Sequence, residues 1–168
     1  MGPMGRMGPM GPMGPTQKSR LAVLGIGNDL MMDDGIGVHL VRALSLEAAS
    51  PGVELIEAGN AVLGGLDAVP EAADVLVIDA ADGGEEPGSV YRFGLDDIDA
   101  RRGVSLHGAA IPEAFAVARL GGARFGKVTV LGVEPAVVDV GTELSPTLKE
   151  KLPAILAVVR REIARLLS

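Results

Sequence analysis

The chain contains no cysteine and no tryptophan, with one tyrosine and three phenylalanines among 168 residues. Without cysteine there are no disulfides, no thiolate metal site and no cysteine nucleophile. Without large aromatics the core must be aliphatic, built from Val, Leu, Ile and Ala. No apolar run approaches the ~20 residues of a membrane span, and none reads as the apolar core of a secretory signal. Positive charge is also scarce. The net charge is −7, and residues 1–20 carry three positive charges and no negative one, so the remainder stands at −10. An acidic surface argues against nucleic acid, whose phosphates need a basic face. With no export signal, the expected location is the cytoplasm.

Glycine and proline are plentiful at the start. Residues 1–15 run in glycine triplets from Gly2-Pro3-Met4 to Gly14-Pro15 and hold five of the seven methionines. Five Gly-X-Y triplets are too few for a collagen helix. Residues 1–18 are expected to be a disordered low-complexity extension, or the product of an early start codon. The fold is expected to occupy residues 19–168 as one α/β domain.

From there the chain alternates strands and helices. Leu21–Ile26 is a short continuous apolar run, as in a strand covered on both faces. Ile36, Leu40 and Leu44 recur at helical spacing. Val53–Glu57 reads as a second strand, Leu66–Val69 as a short helix, and Val75–Ile78 as a buried strand ending at Asp79. Val90–Phe93 reads as an edge strand, Pro112–Leu120 as a helix, Lys127–Val133 as a strand and Pro146–Leu167 as a long amphipathic helix. This order predicts a three-layer α/β sandwich, a mostly parallel twisted sheet of about five strands flanked by helices. Ligands in such folds gather outside the carboxyl ends of the strands, which directs attention to the residues after Ile26 and Ile78.

Gly25-Ile26-Gly27-Asn28-Asp29-Leu30-Met31-Met32-Asp33-Asp34-Gly35-Ile36-Gly37 is the densest motif. Strand, glycine turn and helix ordinarily suggest a dinucleotide site. The fingerprint requires a third glycine where Leu30 stands, and two carboxylates open the helix where a pyrophosphate needs free N–H groups. An Asp at a helix start commonly caps it, but one is enough. Two adjacent acids suggest one capping the helix and one facing a site. Asp79, at the expected tip of a buried strand, either closes a turn or serves as ligand or acid. His39 follows Asp34 by five positions and should point ~140° away from it on a helix, so the two should not share a ligand. His107 precedes a helix and neighbours Gly108. Two carboxylates and an imidazole suit a divalent transition metal without selecting one.

The segment from Gly25 to Gly37 resembles the opening signature of the hydrogenase maturation endopeptidases, G-x-G-N-x-L-x-x-D-[DE]-G-x-G. The resemblance continues through Glu57-Ala58-Gly59-Asn60, Val77-Ile78-Asp79-Ala80, Pro87-Gly88, Ser105-Leu106-His107 and Leu131-Gly132-Val133-Glu134-Pro135. Asp34 stands where some relatives carry Glu, and Asn60 where Thr or Ser is usual. The resemblance implies removal of the C-terminal extension from a nickel-loaded hydrogenase large-subunit precursor. It implies metal contact by Asp34, Asp79 and His107, the nickel being supplied by the substrate. No serine elbow or H-E-x-x-H helix is present. Cleavage would then use metal-assisted water or an Asp as base, with Asp33 as the spare carboxylate beside the scissile bond. The alternative is a non-catalytic, nickel-recognising chaperone on the same fold. A monomer is the favoured state.

Overall fold

A computed structural model describes residues 20–48, 50–98, 105–106 and 110–168. The main sheet has the order β2-β1-β3-β6-β4. Its strands are β1 (Leu21–Ile26), β2 (Val53–Gly59), β3 (Asp74–Asp82), β4 (Val90–Gly94) and β6 (Val128–Val133), while β5 (Ser105–Leu106) pairs only with the far end of β3. β2, β1, β3 and β6 run parallel, and β4 closes one edge antiparallel to β6. Among the described residues four α-helices accompany them: α1 (Ile36–Ser45), α2 (Val62–Asp67), α3 (Ile111–Leu120) and α4 (Pro146–Leu167).

Every residue of β1 and β6 is buried, as their continuous apolar sequences require. Alternation along the strands divides the core in two. Leu21, Val23, Leu76, Ile78 and Leu131 face α1 and α4, meeting Ile36 and Leu40 from the first and Leu148, Ile155 and Val159 from the second. Ala22, Leu24, Val75, Val77 and Val130 face the other way, against Leu66 of α2 and Ile111 and Phe115 of α3. Phe115 meets Phe125 edge-on at 5.0 Å, a pair that uses two of the few aromatics. At the antiparallel edge, Arg92 of β4 donates to Glu162 of α4 at 2.8 Å. Arg165 and Arg92 together hold the Glu162 carboxyl down at about 2 against the effect of burial.

The three-layer α/β sandwich with a mostly parallel sheet is the architecture expected from the alternation of elements. The strand through Asp79 differs from expectation. β3 runs on to Asp82 because Asp79 and Ala80 still pair with Gly132 and Val133 of β6, and Ala81 with Leu106. The short helix also begins earlier than Leu66, at Val62. Because β1 leads to β2 on one side while β3 lies on the other, the chain reverses direction across the sheet between β1 and β3. Crevices in open α/β sheets form at such a reversal.

Candidate active site

Beyond Ile26 the chain must turn sharply, and Gly27 does so at φ +124. A side chain there is excluded twice over, since its Cβ would stand 1.9 Å from the carbonyl oxygen of Asp34. Gly37 is equally confined, with an added Cβ falling 2.1 Å from the carbonyl oxygen of Ile78. The glycines of the motif therefore serve close packing of chain on chain. They let a 3-10 turn, Met32–Gly35, lie directly on the ends of β1 and β3. No phosphate cradle is needed to explain them. Asn28 accepts from the Leu30 N–H at 3.0 Å and donates its own N–H to Asp34 Oδ2 at 3.1 Å, which orients the partly exposed Asp34 carboxylate.

Asp79 approaches from the neighbouring strand. β1 pairs with β3 as far as Gly25 opposite Ile78, so Asp79 is the first residue of β3 beyond that pairing. Strand alternation gives it the parity of Val75 and Val77, toward the α2 and α3 layer. The side chain is wholly buried. Oδ1 accepts the N–H of the next residue, Ala80, at 2.8 Å, and Oδ2 is buried with no hydrogen-bond partner among the described residues. Burial pushes its pKa up to about 8, the Ala80 N–H works against that, and the charge of Asp34 adds to the rise. Two carboxylates that feel each other's charge thus sit at the point of chain reversal, one reachable from solvent and one below it.

Asp33 has a different setting. It is fully buried, and both oxygens are taken. Oδ2 accepts the N–H groups of Ala136 and Val137, each at 2.9 Å, and the Ser145 hydroxyl at 2.7 Å, while Oδ1 accepts the Ser145 N–H at 2.7 Å. It is not a spare carboxylate beside a substrate. Nor does either acid cap α1, whose first position is preceded by Gly35 with no side-chain cap. Asp33 instead fastens the loop before α4 to the loop after β1. Ser145 serves both ends of that joint, donating to Asp33 and accepting the Leu148 N–H as the cap of α4.

The third predicted metal residue, His107, lies outside the described residues. Among the described residues no group of three His, Cys, Asp or Glu side chains forms a metal-sized cluster. His39 interacts electrostatically with Arg42, Asp29, Asp33 and Glu143, and neither Asp34 nor Asp79 is among these partners. Burial, then Arg42, lowers its pKa.

Glu134 was legible only as part of a motif. It directly follows β6, almost fully buried, and gathers the turn after β3 by accepting from Gly83 N at 2.8 Å, Gly84 N at 3.3 Å and the Tyr91 hydroxyl. Burial raises its carboxyl, but these donors prevail and hold it below the usual range. Burial first, and then the bond to Glu134, pushes the Tyr91 hydroxyl up to about 12. A groove of about 420 Å³ lies elsewhere, among Leu44, Val53, Leu55, Ile163 and Leu167, near the amino end of β2. Its lining is mostly apolar, and none of the acids above enters it.

The hydrogenase maturation protease profile matches residues 38–162. The chain belongs to the hydrogenase maturation proteases. It is 34% identical over 149 residues to the hydrogenase expression/formation protein HupD of Rhodobacter capsulatus, covering 86% of this chain and 71% of that protein. With the hydrogenase 2 maturation protease of Escherichia coli it shares 28% identity, covering 84% and 91% of the two chains. The solved hydrogenase maturating endopeptidase HybD of Escherichia coli superposes with a TM-score of 0.68 at 26% identity, over 87% of this chain and 93% of that one. The protein is thus a peptidase of hydrogenase maturation. Among its described residues no helix is long and apolar enough to cross a membrane.

Proposed function

We propose that the protein removes the C-terminal extension of a nickel-loaded hydrogenase large-subunit precursor, reading the substrate's nickel with Asp34, Asp79 and His107. The observation that carries the reading is Asp79 Oδ2, a carboxylate oxygen buried with no donor among the described residues. Such an oxygen is costly to keep unless a cation or proton completes it. A divalent cation arriving with the substrate supplies that partner, and Asp34 supplies a second anionic oxygen from the adjoining turn. Two carboxylates with an imidazole form a donor set suited to nickel and its neighbours.

The nickel is part of the substrate, and its role is to report a finished metal centre and to fix the peptide. Held by its metal, the precursor presents the scissile bond beside Asp34, the one acid of the pair that solvent reaches. Water then loses a proton to the Asp34 carboxylate as its oxygen attacks the carbonyl carbon. The C–N bond breaks, and the proton passes to the departing amine. Orientation does much of the work, because a peptide anchored at a fixed point meets its attacking water at high effective concentration. Asp33 has no place in these proton transfers. Its part is to hold the loops in which the site is set.

Incubation with nickel-loaded and nickel-free precursor, followed by intact mass, tests the reading. Loss of the tail only from the nickel-loaded form is expected. Equal cleavage of both forms would remove the recognition role given to Asp34, Asp79 and His107.

A further inference from the structure

Of the eight large apolar side chains left exposed among the described residues, four lie on just two loops: Leu30 at 61%, Val137 at 42%, Val138 at 40% and Val140 at 81%. These are the loops that Asp33 fastens together. Between them Met32 N donates to Gly141 O at 2.9 Å, Gly141 N to Leu30 O at 3.0 Å, and Asp33 N to Val137 O at 3.2 Å. Met31 and Gly141 form a parallel bridge. Met32 holds φ +49, a left-handed conformation that a side chain seldom adopts. Gly141 leaves that side chain its room, since an added Cβ would come 2.9 Å from Met32 Cγ. The loops are thus fixed by many backbone bonds and by a strained residue while still presenting aliphatic side chains to water. Exposed aliphatic residues so concentrated mark a place of contact.

From these features we infer that Leu30, Val137, Val138 and Val140 form a preorganised apolar rim that receives an aliphatic segment of the precursor flanking the bond to be cut. The inference rests on the activity proposed above and deepens it. The rim continues directly into the site, because Asp34 N donates to Met31 O at 3.2 Å and Asn28 N to the Asp34 carboxylate. A peptide anchored at Asp34 and Asp79 therefore has these loops as its immediate neighbours. A second copy of the chain is the poorer occupant. Four such side chains expose on the order of a few hundred Å², against ~800 Å² per partner in a stable dimer. Fixed loops also bind an extended segment without the added cost of ordering themselves.

The division of labour is clear. The acids recognise the metal, and the rim recognises the chain beside it. Leu30→Ser and Val140→Ser, singly and together, are assayed against nickel-loaded precursor, with Leu46→Ser as a control on a still more exposed leucine, just after α1. For the double variant KM should rise about tenfold while kcat stays within about twofold, since exposed aliphatic area lost from a docking surface weakens binding alone. Leu46→Ser should match wild type. Unchanged KM in the double variant overturns the rim, as does an altered oligomeric state with KM unchanged, which would give the surface to a second copy. Failure of the wild-type protein to cleave the precursor is a separate result, and it removes the proposed activity itself.

Discussion

Asp33 and Asp79 are both fully buried, both at the carboxyl edge of the sheet, and their surroundings are opposite. The seat of Asp33 supplies three backbone N–H groups and one hydroxyl to its two oxygens. The seat of Asp79 supplies one N–H, to one oxygen. A carboxylate surrounded by peptide donors is solvated by the protein and holds structure together. A carboxylate denied donors stays protonated or waits for a cation, which suits work on a substrate. Residue type and burial do not separate these two acids. The donor inventory does.

The largest effect that sharpens this contrast is expected from Asp79→Asn. The shape is kept and Ala80 N–H retains its acceptor, but the charge that would meet a metal is gone. Cleavage of nickel-loaded precursor should fall below detection by intact mass, and appreciable residual cleavage would return Asp79 to a structural role. Asp33→Asn comes next. Whichever way the amide turns, its NH2 faces a backbone or hydroxyl donor, and the loss should be ~2–4 kcal/mol of stability by urea denaturation. Ser145→Ala removes one donor to Asp33 and the cap of α4 together, so a loss of ~1–2 kcal/mol is expected in the same measurement. A Ser145→Ala protein as stable as wild type would show that the joint is weaker than its bonds suggest. Smallest of all is deletion of residues 1–18, which should shift neither melting temperature nor cleavage rate. A drop of several degrees would mean that this segment packs on the fold.

The architecture was largely legible because the strands are continuous apolar runs and the helices carry apolar residues at helical spacing. α4 in particular starts and ends where Ser145-Pro146 and the last leucines place it. The site was legible in part. The rule of the strand ends leads to the turn after Ile26 and to Asp79, and the fold brings Asp34 of that turn near enough for its charge to act on Asp79. The roles of the adjacent acids were not legible. In sequence Asp33 looks like a spare carboxylate, yet its donors Ala136, Val137 and Ser145 lie more than a hundred residues along the chain, where no local pattern announces them. The length of β3 was hidden for a similar reason. Asp79 resembles a strand end in sequence, but pairing with Gly132 and Leu106 beyond it carries the strand to Asp82. His107 falls outside the described residues, so its part rests on the resemblance of its motif.

The contrast between the two acids is tested most directly by melting temperature against pH for wild type, Asp33→Asn and Asp79→Asn. The Asp79 carboxyl, raised from 3.8 to about 8 in the fold, binds its proton more tightly folded than unfolded. Its contribution to stability is whole below about pH 4 and is lost as pH rises through about 8, by at most ~1.4 kcal/mol per pH unit across that window. Asp79→Asn cannot lose a proton there. The expected result at pH 9 is a melting temperature above wild type for Asp79→Asn and below it for Asp33→Asn. Both variants melting below wild type at pH 9 would contradict the assignment of Asp79 as the acid held without donors for a substrate's metal.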